Sequence, residues 1–74
     1  TNMTEEQRKK EKFVEQHLSP MLCDVGCSIS GAEYYIDEYN SEIVELHYIG
    51  GSNTKICVSC DSLPALVRDV FRRV

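Results

Sequence analysis

Four cysteines carry the densest chemistry in this chain. "CDVGC" holds Cys23 and Cys27, and "KICVSCDSLPALVRDVF", residues 55 to 71, holds Cys57 and Cys60 in a C-x-x-C just ahead of a helix-like stretch. Four thiolates about 2.3 Å from one ion would make a closed structural zinc site. A pair with a lowered thiol pKa would exchange disulfides, and oxidised pairs would staple the chain. Small apolar side chains would simply pack in a core. Choosing among these requires knowing where the secondary-structure elements place each sulfur.

The 74 residues, 42% hydrophobic and 27% charged, describe one globular domain over residues 1–74 with room for one small core. The net charge of −4 weighs against nucleic acid and anionic membrane as partners, because both require phosphate charge to be neutralised by Lys and Arg. The basic residues are also split, between Arg8 to Lys12 and Arg68 to Arg73. No run approaches the roughly 18 apolar residues of a spanning helix, and the start is too polar for a signal peptide. Thr1 in place of an initiator Met fits a processed chain, a remnant of expression or a removed leader alike. The expected location is cytoplasmic.

"TEEQ" at Thr4 to Gln7 has the form of a capping box and opens a first helix, with Glu5 and Glu6 at its positive end. Phe13, Val14, His17, Leu18, Met21 and Leu22 recur at helical spacing, which leaves Arg8, Lys9, Lys10, Lys12 and Glu15 outward. Pro20 interrupts that stripe. Either the helix kinks there, or it stops near Leu18 and restarts with Ser19 as cap and Pro20 in the first turn; Gly26 then ends it.

From Ala32 the period changes to two. Ala32, Tyr34 and Ile36 face one way and Glu33, Tyr35 and Asp37 the other. "YNSE" turns the chain into a second strand, where Val44, Leu46 and Tyr48 alternate with Ile43, Glu45, His47 and Ile49. "GGSN" at Gly50 to Asn53 supplies a hairpin turn. A third strand follows, with Ile56, Val58 and Cys60 on one face and Lys55, Cys57 and Ser59 on the other. Asp61 or Ser62 caps the last helix, which carries Pro64 in its first turn and turns Leu63, Leu66, Val67, Val70, Phe71 and Val74 to one side. The predicted fold is α+β, in the order α-β-β-β-α: a three-stranded antiparallel meander with two helices packed on one face.

That topology bears on the thiols. Cys23 and Cys27 fall near one end of the sheet and Cys60 near the other, across a strand of roughly 20 Å, and Cys57 and Cys60 point to opposite faces unless the strand ends early. The favoured reading makes Cys60 and one of the two earlier cysteines small core residues and places Cys57 on the open sheet face. A site in which Cys23, Cys27, Cys57 and Cys60 ligate zinc is the runner-up. Redox chemistry is disfavoured, because Asp61 beside Cys60 would oppose a thiolate.

His17, on the apolar stripe, reads as a hydrogen-bonded core or boundary residue. His47 falls opposite or diagonal to Cys57 on the face away from the helices, but a flat sheet without an oxyanion donor gives a Cys-His dyad little to work with. That face, with Tyr35, Ile43, Glu45, His47, Ile49 and Cys57, is more apolar than a solvated face needs. Tyr35, Ile43, His47, Ile49 and Cys57 are therefore the candidate interface residues.

The element order resembles the double-stranded RNA-binding domain, which also sets both helices on one side of its sheet. That family grips phosphates with a Lys-rich start of its second helix, where this chain has "CDSLPAL", and carries a Gly-Pro-x-His-type element where this chain has "EYNSEI". An extended hairpin followed by a strand ending in "DSLPALVRDVFRRV" is also similar to short uncharacterised proteins encoded in phage and conjugative elements of gut bacteria. This second resemblance implies a fold and a mobile-element setting, without a site. The resulting expectation is a non-enzymatic, cofactor-free domain that binds an unknown protein partner or forms a homodimer through the open sheet face, with no nucleic acid or membrane as partner. A double-stranded-RNA-binding-like module ranks behind the zinc alternative.

Overall fold

A computed structural model describes residues 3–25, 28–59 and 61–73. The chain runs α1 (Glu5–Phe13), a π-helical segment (Val14–Leu18), α2 (Ser19–Val25), β1 (Ile29–Ile36), β2 (Glu42–Tyr48), β3 (Asn53–Cys57) and α3 (Leu63–Phe71). The strands form one antiparallel sheet in the order β1-β2-β3, the expected meander.

The capping box forms as its sequence predicts. Thr4 is extended, its hydroxyl accepts from the Gln7 N–H at 3.2 Å, and the Gln7 side chain accepts from the Thr4 N–H at 2.9 Å. Later in the chain, Ser62 caps α3 by accepting from the Ala65 N–H, with Pro64 in the first turn, where a missing N–H costs nothing.

At Pro20 the helix neither stops nor restarts from a cap. Val14, Leu18 and Leu22 are fully buried, and their spacing of four residues drifts about 40° per step around an ideal α-helix. A π turn holds more residues, so the segment Val14–Leu18 keeps the three on one line, closed by the Ser19 N–H donating to the Val14 carbonyl. Ser19 is helical and spends its hydroxyl on the Ala32 N–H at 3.0 Å, tying α2 to β1. The same shift turns His17 and Met21 outward, against the predicted stripe; His17 is exposed and contacts the Phe13 ring at 5.6 Å.

β1 begins at Ile29, three residues before the predicted start. A bulge between Ile29 and Gly31 lets Ile29 and Ala32 both face inward, which breaks the alternation that sequence reading depends on. The β1–β2 turn is an Asx turn in which Asp37 Oδ1 accepts from the N–H groups of Tyr39 and Ser41, with Asn40 at φ 62°. Gly51, at φ 93°, supplies the positive φ of the second hairpin turn. β3 ends at Cys57 rather than Cys60, though Val58 stays fully buried and its N–H donates to the Glu42 carbonyl.

One core joins Val14, Leu18 and Leu22 to Ile29, Ala32, Tyr34, Val44, Leu46, Ile56 and Val58, closed by Leu66 and Val70 of α3. All helices therefore lie on the same side of the sheet. Lys10, predicted to point outward, is 8% exposed instead. Its Nζ lies 2.8 Å from Glu42 Oε1, itself 8% exposed, and the same oxygen accepts from the Tyr34 hydroxyl. Burial, and then the Glu42 carboxylate, push the Tyr34 phenol far above its ordinary range. Of the core cysteine expectation, Cys23 is exposed, while Cys27 and Cys60 lie outside the described residues.

A buried ion pair that loses one member leaves an uncompensated charge. Lys10→Met, which keeps the aliphatic stem, should lower the unfolding free energy by about 3 kcal/mol in urea denaturation. A loss under about 1 kcal/mol would show that Lys10 is solvated and the pair a surface one.

Candidate functional site

The face of the sheet away from the helices is laid out by register. Its rows are Tyr35–Ile43–Cys57, then Glu33–Glu45–Lys55, then Gly31–His47–Asn53. β2 occupies the middle of each row, so its side chains are screened from both sides. Ile43 and Glu45 are each only 9% exposed although no helix covers them.

This rearranges the predicted interface. Tyr35, His47 and Cys57 present surface, while Ile43 lies beneath its neighbours. Ile49 lies past the end of β2, in the following turn, 71% exposed, with its N–H donating to the Ser28 carbonyl. His47 stands opposite Asn53 and two rows from Cys57, about 13 Å along the strand, which excludes a Cys57–His47 dyad. The Cys57 Sγ instead lies 3.7 Å from Ser59 Oγ.

The central and last rows hold a polar group that spacing alone did not show. His47 Nε2 lies 3.0 Å from Glu33 Oε1, and His47 Nδ1 lies 3.1 Å from Asn53 Oδ1. The Tyr35 hydroxyl donates to Glu45 Oε1 at 2.8 Å. Partial burial, then the hydrogen bond to Glu45, push the Tyr35 phenol up to about 12. The hydrogen bond to Glu33 raises His47 above its ordinary range; burial opposes it, and Asn53 and the two carboxylates add to it. Glu33 stands directly opposite Glu45 in the unbroken register that runs back from the hairpin turn; the bulge comes only beyond Gly31.

Cys23 lies near the end of α2, the helix that leads to the Tyr48 end of the sheet, and Cys57 lies at the Glu42 end. The length of β2, about 20 Å, separates those two ends. Both thiols are exposed and free, and the other two members of the proposed zinc set, Cys27 and Cys60, lie outside the described residues. Among the described residues, no helix is long and apolar enough to cross a membrane. No protein-family model, no curated protein and no solved structure matches the chain.

A histidine whose folded pKa is raised contributes stability in full below its unfolded value, about 6.5, and loses it as pH rises through the folded value. Between about pH 6 and about pH 8.5 the urea midpoint of the wild type should therefore fall further than that of His47→Gln. Equal falls in the two proteins would show that His47 gains nothing from Glu33 on folding.

Proposed function

We propose that the chain is a small non-enzymatic binding module of the cytoplasm, whose open sheet face receives a protein partner presenting apolar side chains flanked by Lys or Arg. The observation that carries this reading is the adjacency of the row Tyr35–Ile43–Cys57 to the row holding Glu33 and Glu45, on the one sheet face that no helix covers. An uncovered face of an antiparallel sheet that mixes aromatic, aliphatic and acidic groups supplies both an anchor and a sign of charge. Asp37 and Glu38, just past the end of β1, extend the same sign.

Charge also favours a basic partner over a second copy of the chain. Two copies meeting face to face would bring together surfaces that share an excess of carboxylates, on chains of net charge −4. A basic partner meets no such repulsion. The outer strands are about 10 Å apart, so the contact falls at the small, transient end of protein interfaces.

Selection from a random peptide library displayed on phage, with the immobilised chain and a chelator present, tests this. Enriched peptides should hold Lys or Arg beside an aliphatic or aromatic residue, and Tyr35→Lys should weaken their binding by roughly tenfold or more. Enrichment without basic residues, or equal binding to Tyr35→Lys, would overturn the reading. A wild type that dimerises in light scattering would instead make a second copy the partner.

A further inference from the structure

We propose that Glu33, Glu45 and His47 form a binding site for a first-row divalent cation of the zinc type. One ligand atom from each lies within 4.8 Å of the other two. Donors about 2.1 Å from a shared ion sit roughly 3.4 Å apart, and His47 Nε2 and Glu33 Oε1, at 3.0 Å, are already that close. The Glu33 side chain, 51% exposed, has room to adjust around an ion. The other two donors stand on the central strand, two residues apart on one face, where the sheet fixes their backbone.

Three features separate this group from an ordinary patch of surface acids. The first is the imidazole, since a nitrogen donor with two carboxylates suits zinc and its first-row neighbours better than calcium or magnesium. The second is Glu45, a residue only 9% exposed whose cross-strand neighbour Lys55 makes no ion pair with it; among the described residues no salt bridge within 4.0 Å reaches Glu45. Its charge faces the like charge of Glu33 directly across the ladder, an arrangement that costs stability unless a cation lies between them. The third is a supporting shell. Asn53 Oδ1 accepts from His47 Nδ1, which aims Nε2 at the carboxylates, and the Tyr35 hydroxyl holds Glu45 Oε1. Three protein donors at a surface leave at least one position for water or a partner's side chain. The inference stands apart from the protein-binding reading, because the three donors hold an ion whether or not a partner docks.

Cobalt(II) is the probe, because its spectrum separates this site from the cysteines. Under reducing conditions the whole chain should take up one equivalent with visible ligand-field absorption and no sulfur-to-cobalt charge-transfer band, and added zinc should displace it. Glu33→Gln and His47→Gln should each weaken cobalt binding by at least about tenfold. Glu33 is half exposed, so its variant keeps the fold, which circular dichroism checks. A wild type that binds no cobalt would overturn the proposal, as would binding that shows the sulfur band and is unchanged in both variants.

Discussion

The register of β2 is the constraint on which the rest of the molecule depends. As the central strand it has a neighbour on each side, and its alternation sends Val44 and Leu46 into the core and Ile43, Glu45 and His47 to the open face. A slip of one residue would exchange the two sets and bury a carboxylate and an imidazole among Leu18, Leu22 and Leu66. Several devices fix it. The Asx turn at Asp37 and the positive φ of Asn40 set the first hairpin, Gly51 the second, and the Glu42 carboxylate meets Lys10 and Tyr34 only in this register.

The two faces of that strand do different physical work. Inward, fully buried aliphatic side chains supply the hydrophobic term that a chain of 74 residues needs to fold at all. The Lys10–Glu42–Tyr34 group at the edge of the core adds direction to it, because a buried charge pair tolerates few alternative arrangements. Outward, the carboxylates of Glu33 and Glu45 face each other across the ladder, an unfavourable like-charge pairing, and His47 lies against Glu33. That like-charged pair on the uncovered sheet face is what both proposals, an ion and a basic side chain, rest on.

Much of the fold was legible because its signals are local. The capping box at Thr4, the Ser62 cap, the period-two stretches and the glycine-containing turn each state a conformation within a few residues. What stayed hidden depends on contacts distant in sequence. Lys10 reads as a surface lysine until Glu42, far along the chain, comes beside it, and the π turn follows from core geometry rather than from any helix signal. The bulge after Ile29 removed the alternation by which β1 would have been extended back. For the site, the face was legible and the rows were not. Parity along β2 placed His47 and Ile43 outward, yet only the ladder shows that His47 meets Glu33 and Asn53 rather than Cys57, and that Ile43 lies beneath its neighbours.

The most direct measurement is the cross-strand proton contact pattern of the chain in solution by nuclear Overhauser spectroscopy. Tyr34 and Val44 are paired without exchanging backbone hydrogen bonds, since the neighbouring Asp37 N–H and Val58 N–H set the parity of both ladders. Such pairs bring their Cα atoms to about 4.5 Å, so the account predicts a strong Cα-proton cross-peak between Tyr34 and Val44. A cross-peak joining Tyr35 to Val44 in its place would contradict it, because Glu33 would then share a face with the core side chains of β2 and the Glu33–Glu45–His47 group would not exist.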